Sequence, residues 1–196
     1  MHMKNGKRIF IGIIAVIAGV IFAVTLVHAL FYSSAADLTV PHAAPVAISN
    51  ADYPVTLSIP KLNIHAAVQQ VGVTADGKMA VPTNFTDVGW YKYGTVPGQT
   101  GSAVIAGHVD DGLAIPAVFI DLDKLQPGDD IYIVTKENHV LHFVMTGSQA
   151  YDRNANTDQI FNEKDGKILR LITCTGDWLP LQRTHNQRLV VTAVLR

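Results

Sequence analysis

The chain has 196 residues, 15 basic and 16 acidic side chains, and a formal net charge of −1 at pH 7. A nearly neutral chain has no global field that would attract nucleic acid, so its charge does not favour a nucleic-acid-binding function. The length suits one domain with an appendage.

The N-terminal segment has the pattern of a membrane anchor. Three basic residues within the first eight are followed by nineteen residues without a charge, Ile9–Val27. Such a run rises about 30 Å as a helix, which matches the hydrocarbon thickness of a bilayer. The basic residues predict a cytoplasmic tail over residues 1–8, a transmembrane anchor over 9–32 and an extracellular C-terminal part. A cleaved signal peptide is the alternative, although its apolar stretch is usually shorter.

Residues 33–52 are poor in bulky side chains and contain Pro41 and Pro45. Proline favours an extended backbone of the polyproline type. The segment is therefore predicted to be a short extracellular stalk. It leads to a domain over residues 53–196, which is long enough to bury a hydrophobic core.

This domain has the pattern of an all-β fold. Short alternating or apolar runs that end at Gly, Pro or polar turns are typical of strands. They occur at residues 55–59, 67–71, 102–108, 130–135, 140–145, 168–173 and 189–195. About eight short strands in a domain of this size predict a β-barrel or sandwich. Residues 117–125 and 156–163 are candidates for one or two short helices.

Three chemically active side chains lie at the ends of predicted strands. His108 ends one run, Cys174 follows another, and Arg188 precedes the last. Strand ends that meet at one edge of a barrel can form a site, because strands hold side chains rigidly while loops admit substrate. Cys174 is the one cysteine of the chain. In an extracellular domain, such a residue is either a buried filler or a nucleophile.

The chain carries three ordered motifs: Ala106-Gly107-His108, Leu171-Ile172-Thr173-Cys174, and Arg188 before an apolar final strand. They resemble the sortases, which are membrane-anchored cysteine transpeptidases of Gram-positive and related bacteria. The resemblance covers nearly the whole predicted domain, is closest to the compact class F group, and implies a sortase-like β-barrel. One difference follows the cysteine, where this chain has Thr175-Gly176-Asp177-Trp178 and the class often has a glycine and a nearby Phe-Asp pair.

The resemblance implies a role for each of the three residues. Cys174 would be the nucleophile, His108 the general acid and base, and Arg188 the residue that holds the substrate backbone and stabilises the oxyanion. The implied substrate is a C-terminal Leu-Pro-x-Thr-Gly-type sorting signal, held as a thioester on Cys174. The acceptor would be an amine of a peptidoglycan precursor or a pilin lysine. No cofactor is implied, and no cluster of oxygen ligands has the spacing of a calcium site.

Three further residues are candidates for substrate binding. Thr173 precedes the nucleophile, Trp178 could line a groove, and Arg183 lies before the last strand. Arg183 is also the alternative to Arg188 as the functional arginine. Arg188 is preferred because an apolar strand follows it directly, as in the family. His185 lies in the same segment near the site and could contact substrate, although an exposed loop histidine is the default interpretation.

The order and the neighbours of the three residues also distinguish this function from three alternatives. In papain-like wall hydrolases the cysteine precedes the histidine and opens a helix, whereas here His108 precedes Cys174. A wall-crosslinking L,D-transpeptidase would carry Ser-x-Gly-Cys, which Leu-Ile-Thr-Cys does not match. A membrane-tethered β domain that only binds a partner would need all three residues to match the family by accident.

Overall fold

The computed structural model describes the chain over residues 16–23, 39–40, 52–111 and 113–196. The chain divides into two compact units, Met1–Tyr32 and Ser33–Arg196. Residues 16–23 of the N-terminal unit are helical. Among the described residues, no helix has both the length and the apolar character needed to cross a bilayer.

Most of the predicted N-terminal segments lie outside the described residues. This holds for the tail over residues 1–8, for most of the anchor over 9–32 and for most of the stalk over 33–52. Within the stalk, the Val40 N–H donates to the Gly77 carbonyl at 3.2 Å, so this part of the segment lies against the domain. The division of the chain at these boundaries stays a prediction.

The C-terminal unit contains a closed barrel of eight strands. The strands are β1 (Pro54–Ile59), β2 (Ile64–Val71), β3 (Val88–Tyr91), β4 (Gly101–Ala106), β5 (Asp130–Thr135), β6 (Val140–Asp152), β7 (Lys167–Leu179) and β8 (Thr184–Leu195). Their order around the barrel is β1-β2-β3-β4-β7-β8-β6-β5, and β5 pairs with β1 to close it. The prediction of an all-β barrel of about eight strands is confirmed.

Strand β4 is buried throughout because both of its faces are covered. Ala103 and Ile105 belong to the main core, whereas Val104 and Ala106 belong to a second cluster on the opposite face. A single helical turn, Asp158–Phe161, contributes two buried side chains to that second cluster. This turn confirms the helix candidate near residues 156–163.

The predicted helix over residues 117–125 is wrong. The segment consists of turns and one short 3₁₀ helix, Leu122–Lys124. The Phe119 N–H donates to the His108 carbonyl at 2.9 Å. Farther along, amides bond to carbonyls three residues back, Ile120 to Ala117 at 3.1 Å and Leu122 to Phe119 at 3.2 Å, which is the pattern of turns and 3₁₀ helices rather than of an α-helix.

Strands β7 and β8 extend farther than predicted. β7 continues to Leu179, so Cys174 lies within a strand, and β8 begins at Thr184, so Arg188 also lies inside one. The prediction that both residues lie at strand ends is therefore wrong. The two strands stay paired as far as Leu179 and Thr184, with an irregularity after Thr175. This pairing satisfies backbone N–H and C=O groups that would otherwise bond to water in a loop. The polar side chains of the segment have no strand-like periodicity, so the sequence did not predict the extension.

Candidate active site

The strand order brings the three candidate residues to one edge of the barrel. Ala106 of β4 pairs in parallel with Ile172 of β7. Because parallel strands advance in the same direction, His108 and Cys174, each two residues beyond that pair, lie at the same edge. On the other side of β7, Cys174 pairs directly with Arg188 of β8. Cys174 and Arg188 therefore lie on the adjacent strands β7 and β8, and His108 lies just beyond the end of β4.

The Cys174 side chain lies between two cavities. The residue is only 5% exposed, so a substrate must reach the thiol through one of them. The larger cavity has a volume of about 160 Å³. Residues that line it with Cys174 include Val109, Phe119, Thr173, His185 and Leu189. The smaller cavity lies beside Gly107 and Arg188.

His108 is held in an almost fully enclosed position, with 3% of its surface exposed. Its Nε2 lies 3.0 Å from the Pro82 carbonyl oxygen, and its ring lies 5.0 Å from the Phe85 ring. Burial lowers the pKa of His108, while the hydrogen bond to Pro82 and the charge of Asp110 act in the opposite direction. At neutral pH, more of this imidazole is neutral than in an exposed histidine.

Gly107 allows the close packing that fixes the backbone of His108. A Cβ atom at Gly107 would lie 2.5 Å from the Phe119 ring, which is closer than atoms can pack. The same Phe119 donates its N–H to the His108 carbonyl. The Phe119 residue therefore restrains His108 through both its ring and its backbone.

The Arg188 guanidinium is fully buried and held by its own strand. Its Nη1 donates to the carbonyls of His185 at 2.9 Å and Gln187 at 2.7 Å. Its Nη2 donates to the Thr184 hydroxyl at 2.9 Å. A guanidinium that is fixed beside Cys174 can stabilise negative charge that develops there, without a cost of reorganisation.

The chain matches the sortase domain family model over residues 57–196. It belongs to the sortase family. The predicted family is therefore confirmed, and the barrel order, His108, Cys174 and Arg188 can be interpreted as parts of a sortase. No curated protein sequence matches the chain.

Solved sortases have the same fold. Sortase A from Corynebacterium diphtheriae is 22% identical, with a TM-score of 0.57, over 74% of this chain and 61% of that one. Sortase C-1 from Actinomyces oris is 20% identical, with a TM-score of 0.57, over 73% and 74% of the two chains. A Clostridium perfringens sortase D5 transpeptidase is 27% identical, with a TM-score of 0.56, over 74% and 79%. This sortase thus spans less than two thirds of the diphtherial enzyme.

Thr173 lies where the sequence predicts a substrate contact. It is buried and lines both cavities beside Cys174. Its hydroxyl oxygen has no hydrogen-bond partner among the described residues. Because a buried hydroxyl is costly to leave unpaired, a bound substrate would be a favourable partner for it.

The structure separates the other two substrate-binding candidates from the thiol. Trp178 is 38% exposed, and its ring lies edge-on to the His185 ring at 5.3 Å. Arg183 is exposed in the turn between β7 and β8 and has a left-handed φ of 50°. Neither side chain lines the two cavities around Cys174.

His185 lies beside the site and is less exposed than the default interpretation of the sequence expected. Its side chain is only 15% exposed and lines the larger cavity. Its Nδ1 lies 3.1 Å from the Gly176 carbonyl oxygen and its Nε2 lies 3.3 Å from an Asp110 carboxylate oxygen. The interpretation as an exposed loop histidine is wrong, because the β7–β8 pairing carries the residue back to the edge that holds the thiol.

Proposed function

We propose that this sortase is a cysteine transpeptidase that cleaves a C-terminal Leu-Pro-x-Thr-Gly-type sorting signal and joins the upstream protein to an amine. The observation that supports it best is the placement of His108, Cys174 and Arg188 at one edge of a sortase barrel, with a cavity leading to the thiol. The acceptor would be a peptidoglycan precursor or a pilin lysine.

The three side chains supply complementary parts of the reaction. The Cys174 thiolate attacks the Thr carbonyl carbon of the signal, and the Arg188 guanidinium stabilises the oxyanion. The C–N bond breaks, its electron pair stays on nitrogen, and protonated His108 gives that nitrogen a proton. The acyl group remains on sulfur as a thioester. The incoming amine then loses a proton to His108 and displaces Cys174, which forms the new amide and restores the starting state.

We also propose that the enzyme is a single-pass membrane protein with its catalytic domain outside the cell. The uncharged run that follows the basic N-terminus supports this topology. Within the family, class F is the proposed group, because Gly107-His108-Val109-Asp110 and Leu125-Gln126-Pro127-Gly128-Asp129 resemble its motifs.

Mass spectrometry of the full-length chain tests the proposed chemistry. The protein, in mild detergent, is incubated with Leu-Pro-x-Thr-Gly-type peptides and a small amine. We expect an acyl adduct on Cys174 and an amine-exchanged product, both absent in Cys174→Ala and in His108→Ala. Exchange that persists in Cys174→Ala would refute the proposal. A folded wild-type chain whose thiol stays inert to peptides and to a thiol-reactive probe would instead favour a domain that only binds a partner.

A further inference from the structure

A loop over residues 81–87, the site loop, encloses His108. Val81 lines the smaller cavity beside the thiol. The Pro82 carbonyl oxygen lies 3.0 Å from the Nε2 of His108, and the Phe85 ring packs against the imidazole. The site loop thus supplies the hydrogen-bond partner of one ring nitrogen and part of the burial of the ring.

The site loop is tied to the barrel by one side chain of β2. The Gln69 amide oxygen accepts the Thr83 N–H at 3.0 Å and the Thr83 hydroxyl at 3.2 Å. The Gln69 amide nitrogen donates to the Asp87 carboxylate at 2.9 Å. Asn84 also donates to Asp87, at 2.7 Å. Gln69 therefore binds the loop at two points, on either side of Phe85.

The contact with Pro82 determines which nitrogen of His108 can exchange a proton. A peptide carbonyl only accepts hydrogen bonds, so the Nε2 that faces it must carry a hydrogen. In the neutral ring the hydrogen then lies on Nε2, and Nδ1 is the nitrogen whose protonation changes when His108 titrates.

We propose that Gln69 is a positioning residue, which acts through the site loop to hold His108 in its Nε2–H tautomer and to assign proton exchange to Nδ1. For its catalytic meaning, this inference rests on the proposed function. When the C–N bond of the substrate breaks, the Nδ1 proton goes to the departing amine. The incoming amine later returns a proton to Nδ1, while the Nε2 hydrogen stays on the Pro82 carbonyl.

Loosening the site loop should change how His108 titrates. Burial is the largest influence on this imidazole and lowers its pKa, whereas the bond to Pro82 raises it. Because loosening removes both, we expect a net rise of the pKa towards its ordinary value. The other charged or titratable groups around the site are left unchanged by the test; they are Asp110, Asp123, Cys174, His185 and Arg188.

The ring-nitrogen chemical shifts of His108, followed by NMR against pH in the full-length chain, test the proposal directly. The signal is assigned by its loss in His108→Gln. We expect the wild type to show the Nε2–H tautomer. Gln69→Ala removes both anchors, and Gln69→Glu places a second carboxylate against Asp87. Both variants should show mixed tautomers, a higher titration midpoint and a kcat about 10- to 100-fold lower with little change in KM.

The neighbouring Gln70 provides matched controls, because it is exposed and lies on the opposite face of β2. Gln70→Ala and Gln70→Glu make the same changes of size and charge, and should behave as the wild type in titration and in kcat. Thermal unfolding checks that each variant is folded.

Two results would overturn the proposal. One is an Nδ1–H tautomer in the wild type, which needs no variant to fold. The other is a His108 titration in folded Gln69 variants that matches that of the Gln70 variants. If the titration shifts only in the Gln69 variants but the wild type exchanges no peptide, the positioning contact stands and the proposed function fails.

Discussion

At the scale of single residues, the protonation of His108 is set by burial, by the hydrogen bond to the Pro82 carbonyl and by a nearby carboxylate. Burial lowers its pKa, and the negative charge of Asp110 raises it. The residue has to donate a proton in one step and accept one in the next, so its pKa determines the pH range in which both steps are possible. The neighbours of His108 are therefore part of its function even where they do not touch substrate.

Asp110→Asn should lower the pKa of His108 further, because it removes a charge that favours the imidazolium. The limb of the kcat/KM profile that reports protonated His108 should move to lower pH, as measured with a sorting-signal peptide. Asp111→Asn is the control, since its side-chain oxygen accepts the N–H groups of Leu113 and Ile115, which an amide oxygen can also do. An equal shift in both variants, or an upward shift in Asp110→Asn, would contradict the prediction.

Gly107→Ala should reduce both stability and activity, because its Cβ would meet the Phe119 ring at 2.5 Å. Overpacking of this kind typically costs about 1–3 kcal/mol, and denaturant unfolding measures it. Gly147→Ala is the matched control, since a Cβ there meets nothing within 4 Å. Equal stability losses in the two variants would mean that packing against Phe119 is not the cause.

The two arginines should differ strongly on substitution. Arg188→Ala should lower kcat/KM about 100- to 1,000-fold, as expected for a lost oxyanion donor. Arg183→Ala, in the exposed turn, should change it only slightly. Circular dichroism checks that each variant is folded, because Arg188 is fully buried. The opposite ranking in folded proteins would transfer the role to Arg183.

At the scale of elements, the His185 side chain links the extended β7–β8 hairpin to the loop after β4. His185 meets the Gly176 carbonyl and the Asp110 carboxylate, and both groups are acceptors only. In either neutral tautomer the imidazole can donate a hydrogen bond to one of them. His185 therefore joins the hairpin to this loop beside the larger cavity, which its side chain lines.

His185→Ala should loosen the hairpin without unfolding the barrel. We expect faster amide hydrogen exchange over residues 176–186 and little change in the melting temperature, because exchange reports local opening. Leu181→Ala is the control, since that side chain is 94% exposed in the same hairpin. Equal exchange in the two variants would show that the His185 contacts do not hold the hairpin.

At the scale of the whole molecule, the candidate site occupies one edge of the barrel, and the barrel and the second cluster support it. The main core lies between the strands, and the second cluster covers the other face of β4. The strands on both sides of β7 position the thiol, while Gln69 binds the site loop and His185 binds the hairpin through polar contacts. This division suits an enzyme that keeps its catalytic groups fixed and admits an extended peptide.

The full-length chain should sediment with membranes and resist extraction by high salt and alkaline carbonate, because a long uncharged segment inserts into hydrocarbon. Deleting residues 1–32 should leave the remaining chain in the supernatant. Extraction of the full-length chain by salt alone would contradict the predicted anchor and would not affect the prediction for the catalytic residues.

The family, the all-β barrel and the grouping of His108, Cys174 and Arg188 could be predicted from the sequence. Strand periodicity and the residues around a reactive side chain are local patterns, and an ordered set of such patterns is specific. The sequence by itself also carries the prediction of the N-terminal anchor, which rests on hydropathy and charge alone. Prediction from the sequence was wrong where contacts with distant residues determine the local conformation, as in the predicted helix over residues 117–125.

Only the tertiary structure decided what surrounds the catalytic candidates. The contact between Pro82 and His108 joins residues 26 positions apart, and that between Asp110 and His185 joins residues 75 apart. Neither contact can be read from a periodic pattern in the sequence, because barrel closure and strand order bring the segments together. The physical reason is that a strand's own residues determine its local conformation, whereas the neighbours of a side chain depend on how every strand packs.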